Sequence, residues 1–163
     1  AFLDYWPTEV RLAVEVRHPD FYQEPQTSVL DKLLQAHWAA RVIMDTRPIR
    51  TGTSKEQQEL QARERKPNLP VHITTTTNFA FVRYIGHPSI EVNESFLDQW
   101  AQQLASWLKQ GLTIYAFCHC PYEKHSPQIC YQLYQRVRAI VPLPALSWRL
   151  DEPDQNPEQM RLF

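Results

Sequence analysis

The chain has 163 residues, 43% of them hydrophobic, enough for one domain with a proper core. Seventeen Lys and Arg stand against 18 Asp and Glu, which excludes a general electrostatic pull towards nucleic acid or anionic membrane and leaves anion binding to local patches. No apolar run approaches the ~20 residues of a membrane helix, and Ala1–Pro7 lacks a basic stretch followed by an apolar one, so no membrane and a cytoplasmic location are expected.

Residues 11–18 alternate, with Leu12, Val14 and Val16 on one face and Ala13, Glu15 and Arg17 on the other, the pattern of a strand. Ser28 is the expected cap of a helix to about Trp38, with Asp31 in its first turn and Leu30, Leu33, Leu34 and His37 on one side. A second strand spans Ala40–Thr46, with faces Val42/Met44 and Arg41/Ile43/Asp45. From Arg47 to Asn78 runs a long insertion, in which Ser54–Gln57 opens a short polar helix and Lys66-Pro67 breaks it. The third strand, Phe79–Gly86, precedes an amphipathic helix from about Glu94 to Lys109, with Phe96, Leu97, Trp100, Leu104, Trp107 and Leu108 as its stripe and Gly111 just beyond its end. The fourth strand, Leu112–His119, leads to a helix capped at Ser126-Pro127 that carries Ile129, Leu133, Val137 and Ile140. Strand and helix alternate four times, which calls for parallel strands joined by right-handed crossovers. Residues 1–141 form this α/β unit, and residues 142–163 read as a proline-rich C-terminal tail.

In a parallel α/β barrel, residues facing the helices are apolar, whereas those facing the axis turn polar near the C-terminal strand ends. Val14 and Val16 then face helices, and Glu15 and Arg17 the axis. If Val42 and Met44 face helices, Asp45 joins them. Arg83 has the opposite parity to Val82 and Tyr84, and His119 follows Tyr115 and Phe117 on one face. These five groups form the expected mouth, with His18 at a strand exit of open direction. Against this stands a purely structural reading, in which Glu15 with Arg83 and Asp45 with Arg17 neutralise one another.

The ordered motifs Ala13-Val-Glu-Val-Arg-His-Pro19, Asp45-Thr-Arg-Pro48, Pro70-Val-His72, Phe81-Val-Arg-Tyr-Ile-Gly86 and Phe117-Cys-His-Cys-Pro121 resemble the YecE-like family, domain of unknown function 72. The resemblance implies a TIM barrel of which this chain corresponds to the last four of eight strand-helix units. It leaves the chemistry open. The chain begins without Met, inside what reads as a helix end, and is expected to be a fragment. An open half barrel exposes two strand edges and an apolar axis face, so a homodimer that closes a pseudo-barrel is expected.

Three functional readings follow. In the first, an enzyme binds a small phosphate- or carboxylate-bearing substrate through Arg17, Arg83, Arg47 and His18, while Glu15, Asp45 and His119 do acid-base work and the insertion acts as a lid. The same pocket without turnover would make a binding protein. In the second, Glu15, Asp45 and His119, with His18 or His87 in reserve, hold a divalent metal; the interleaved arginines weigh against it, and no cofactor is expected. Cys118, Cys120, Cys130 and His125 lack zinc-site spacing, and three cysteines in apolar surroundings predict neither zinc nor a disulfide framework. The sequon Asn93-Glu94-Ser95 is then idle. In the third, Gln159, Met160, Leu162 and Phe163 resemble the peptide with which bacterial DNA-transaction proteins dock on the sliding clamp, an extended segment able to bury apolar side chains in a groove.

Overall fold

A computed structural model describes residues 2–51 and 57–147. Strands β1 (Ala13–Val14), β2 (Ala40–Asp45), β3 (Phe79–Ile85) and β4 (Thr113–His119) form a parallel sheet in the order β1-β2-β3-β4. Helix α1 (Gln26–Ala36) links β1 to β2, α4 (Ile90–Lys109) links β3 to β4, and α5 (Ser126–Arg138) follows β4. The long β2–β3 connection holds α2 (Arg47–Arg50) and α3 (Gln57–Arg65).

Each strand lies beside the next, and crossovers of one hand then put their helices on one side of the sheet. The core shows this side directly. Ile43, Val82 and Tyr84 pack with Leu97, Trp100 and Leu104 of α4 and with Ile129 and Leu133 of α5. A smaller cluster joins Leu30 and Leu34 of α1 to Val14 and Val16. The other face carries Ala13, Glu15, Val42, Phe81, Arg83 and Tyr115, which line an open cavity of about 600 Å³. Towards the carboxyl ends of the strands, α2 covers part of this face through Ile49, which packs on Met44 and Ile85.

Several local features depart from the sequence pattern. Only Ala13 and Val14 of the first strand enter the ladder, opposite Ala40 and Arg41, although the side-chain alternation persists through Val16. Helix α1 starts two residues before Ser28, whose N–H instead donates to the Glu24 carboxylate at 3.4 Å, so Glu24 supplies the expected capping interaction. It stops at Ala36, leaving Leu33 exposed. Trp38, the expected end of this helix, lies beyond it and is 70% exposed with a left-handed φ of 53°.

Helix α4 begins earlier than expected because Asn93 locks its first turn. The Asn93 amide accepts from the Tyr84 hydroxyl and the His87 N–H, and donates to the His87 and Ser89 carbonyls, all within 3.0 Å. Asn93 is fully buried, so the sequon asparagine serves the fold. Gly86 lies against this knot: a Cβ there would sit 2.8 Å from Asn93 Oδ1. Gly111 takes its expected place after α4 with φ 84°. At α5, Ser126 is the first helical residue and its hydroxyl donates to Glu123 at 2.7 Å, while His125 occupies the cap position.

Candidate functional site

Glu15 leaves β1 on the helix-free face, as alternation predicts. Its carboxylate accepts from Arg83 Nη1 at 2.5 Å and from Arg17 Nε at 2.6 Å. Burial pushes the Glu15 carboxyl up, but the hydrogen bonds and charges of Arg83 and Arg17 outweigh it and hold the group below its ordinary value of 4.5. Glu15 is therefore an anion near neutrality, shared by two guanidinium groups.

His119 ends β4 on the same face, and its strand partner Ile85 lies two residues beyond Arg83. Burial, then the charge on Arg83, lowers its pKa below 6.5, against an opposing pull from Glu123, whose carboxylate lies 4.0 Å from Nδ1. A neutral imidazole near pH 7 can accept a proton. With Lys66 and Glu123, His119 lines a second cavity of about 470 Å³ under α3. The Lys66 ammonium is pulled below its usual range first by burial and then by the charges of Arg83 and Arg17. One electrostatic cluster thus joins Glu15, Arg17, Arg83, His119 and Lys66.

Sequence reasoning missed Lys66 and Glu123. Lys66 is one of several basic residues in a polar segment, and nothing in its spacing marks it as the one that turns onto the strand ends. Its position before Pro67, where the helix must stop, was the available signal. Glu59 was also missed. It is buried within α3, with one carboxylate oxygen 3.7 Å from His87 Nε2, and that oxygen lacks a hydrogen-bond partner.

Asp45 is a correction. It lies on the helix-facing side of β2 with no solvent exposure and accepts from Trp100 Nε1 at 2.8 Å. It therefore joins neither Arg17 nor Glu15. Every residue of β2 is buried, so the apolar pair Val42/Met44 did not identify the helix side, and Val42 lines the opposite cavity. Arg47 follows Asp45 away from the mouth. Its Nε and Nη2 donate to the two Asp45 oxygens at 3.0 and 2.7 Å, Nη1 reaches Gln99, and the guanidinium lies over the Phe96 ring.

His18 is exposed and caps a short 3₁₀ turn at Pro19–Tyr22, accepting from the Asp20 N–H at 3.4 Å, so it faces the turn. His87 accepts from the Ser89 N–H and faces Glu59. With Asp45 on the far side of the sheet, the expected set of Glu15, Asp45 and His119 does not assemble. Among the described residues no three His, Cys, Asp or Glu side chains are grouped to hold a metal ion. No described helix is long and apolar enough to cross a membrane. Gln159, Met160, Leu162 and Phe163 lie outside the described residues.

A family model described as "Protein of unknown function DUF72" matches residues 1–150. The UPF0759 protein YecE of Escherichia coli is 34% identical over 144 residues, covering 86% of this chain and 52% of that protein. The YecE protein of a second Escherichia coli strain is 33% identical over the same length. A crystal structure of a DUF72 family protein from Enterococcus faecalis superposes with a TM-score of 0.56 at 11% identity, over 83% of this chain and 50% of that one. That identity speaks for the fold alone. The chain spans about half the length of the curated relatives it matches. On the extent of the family match and the identity to YecE, the chain belongs to the DUF72 family.

Proposed function

We propose that the chain binds a small anion, a phosphate or a carboxylate, at the carboxyl ends of β1, β3 and β4, and that Glu15 and His119 move protons there. The observation that carries this reading is the charge around Glu15. Arg17 and Arg83 share this one carboxylate, and among the described residues neither guanidinium has another acid within salt-bridge distance. Lys66 adds a third cation whose charge the other two already oppose. Such a site gains Coulomb energy from an incoming anion, and the planar guanidinium donors suit carboxylate or phosphate oxygens. Glu15 stays ionised and His119 neutral, so both are in the protonation state of a base.

In this reading the four strand-helix units are half of a (β/α)₈ barrel, the helix-free face is the axis, and the cluster lies where such folds place their active sites. The β2–β3 connection, which delivers Lys66, is the lid. Phe117, 46% exposed, lies level with Arg83 and stacks on Phe81 at 4.9 Å, which gives the axis face an apolar shelf beside the charges. A second copy of this chain covers that apolar shelf.

Calorimetric titration with inorganic phosphate and with acetate tests the anion site. Arg83→Ala and Lys66→Ala are each expected to weaken binding about tenfold, ~1.4 kcal/mol, and Arg47→Ala to leave it unchanged. Equal affinity in Arg83→Ala would sink the reading. Catalysis requires turnover in a panel of phosphate monoesters and glycosides that Glu15→Gln abolishes; without turnover, a binding protein remains. A strictly monomeric chain at micromolar concentration in sedimentation would remove the second copy.

A further inference from the structure

Cys118, which packs on the edge of the main core, and Cys130 have no part in the proposed anion site. Cys118 lies on the helix-facing side of β4, one residue before His119, and Cys130 lies in the second turn of α5, which packs on that strand. Both thiols are free and half-buried, and they lie near enough for each to shift the other's titration. They line one open groove together with Ala116, Ser126 and Pro127, so the pair borders solvent. Cys120, two residues on, is buried and absent from this groove.

We infer that Cys118 and Cys130 are a reversible dithiol–disulfide pair, in which Cys130 is oxidised first by a peroxide-class oxidant and Cys118 resolves it. The two sulfurs are inequivalent. The neighbouring Cys118 thiol holds the Cys130 thiol down, to about 7, against burial. The same contact, with burial, pushes Cys118 well above the ordinary thiol range. Cys130 is therefore the readier of the two to ionise near neutrality, and the thiolate is the nucleophile.

The Cys130 thiolate attacks one peroxide oxygen, the O–O bond breaks, hydroxide leaves, and Cys130 becomes a sulfenic acid. The Cys118 sulfur then attacks the sulfenic sulfur, the S–S bond forms, and the hydroxyl leaves as water with the Cys118 proton. Two electrons pass from the two sulfurs to the peroxide. An external thiol reverses the step by exchange.

The test exposes the whole chain to hydrogen peroxide, blocks residual thiols after unfolding, and maps the peptides. Titratable thiols are expected to fall from three to one, with Cys118 linked to Cys130 within one chain and Cys120 free. Cys118→Ser is expected to leave a sulfenic acid on Cys130 that a 1,3-dicarbonyl reagent traps, and Cys130→Ser to form no link. In the untreated chain at pH 7, iodoacetamide is expected to modify Cys130 about tenfold faster than Cys120. Three thiols surviving in the wild-type chain, or a link that uses Cys120 or a second chain, overturns the pair whatever the variants do.

Discussion

The two faces of the sheet carry similar numbers of charged groups and use them in opposite ways. On the helix side, Arg41 is 2% exposed and its guanidinium is committed to Asp31 at 2.8 Å, to the Phe21 carbonyl at 2.6 Å and to the face of Tyr22. Asp31 also takes the His72 ring at 2.8 Å. Asp45 is equally committed, to Trp100 and Arg47. On the helix-free side, two guanidiniums share the Glu15 carboxylate at the edge of an open cavity, and the Lys66 ammonium in the neighbouring cavity feels their charge. In the Arg41 network only Nε is left without a partner, and a buried charge held in this way by protein groups serves the fold. Where cations exceed their partners beside water, an incoming anion would gain Coulomb energy, and the proposed anion site draws on that excess.

Removing one charge from each face measures this difference. Arg41→Ala empties a buried position, strips two hydrogen bonds and leaves the half-buried Asp31 with His72 alone, so a loss of about 3–5 kcal/mol is expected in chemical denaturation. Arg83→Ala, in a wetter site where Arg17 still reaches Glu15, is expected to cost about 1 kcal/mol or less. Equal losses would mean that the Glu15 cluster is as structural as the Arg41 network.

A smaller effect separates the faces by hydrogen bonding alone. Trp100→Phe keeps most of the ring in the α4 core and deletes one donor to the buried Asp45 carboxylate. The expected cost is about 1–3 kcal/mol, read as a shifted denaturation midpoint with an unchanged slope. Deleting the guanidinium donors through Arg47→Ala should cost less, because that group is 40% exposed and Trp100 and the backbone N–H of residue 47 still hold Asp45.

The pH dependence belongs to the helix-free face. Glu15 has its folded pKa lowered, so its contribution to stability is fully present above 4.5 and is lost as pH falls through the folded value. His119 is also lowered, from 6.5, by burial first and by Arg83 second. The unfolded chain then takes up its proton first, and stability declines as pH drops below 6.5. Denaturation series from pH 7.5 to 4 should therefore slope downwards, with a weaker slope above pH 5 in His119→Gln and a weaker slope below 4.5 in Glu15→Gln. An unaltered slope in both variants would place the titrating groups elsewhere.

The helix-free face was legible in the sequence wherever a strand buries one side more than the other. In β1, β3 and β4, Val14, Val82 and Ala116 mark the helix side, and Glu15, Arg83 and His119 follow on the opposite parity. In β2 both sides are buried, and the apolar pair Val42/Met44 was indistinguishable from the mixed set Arg41/Ile43/Asp45. Only tertiary partners broke the tie: a tryptophan N–H for Asp45, and Asp31 with Phe21 for Arg41. Lys66 was illegible for a different reason, since a loop residue's direction is set by how the connection folds back and not by any period in its own segment. The amphipathic stripe of α4, with Leu97, Trp100, Leu104 and Trp107, was legible because 3.6-residue periodicity and burial coincide over 20 residues.

The least perturbing test concerns the one non-glycine residue among those described with a left-handed φ. Trp38 follows α1 in the position that glycine usually fills, and the Ala39 N–H closes back on the Leu34 carbonyl at 2.9 Å. For an L-residue this conformation costs about 1 kcal/mol, which glycine avoids. Trp38 is largely exposed, so its packing offsets little of that cost. Glycine also loses more backbone entropy on folding, which trims the gain. Trp38→Gly is therefore expected to raise stability by about 0.5 kcal/mol in denaturant titration, with anion binding at the distant strand ends unchanged. A loss of 1 kcal/mol or more would show that the indole contributes to the fold through contacts its exposure conceals.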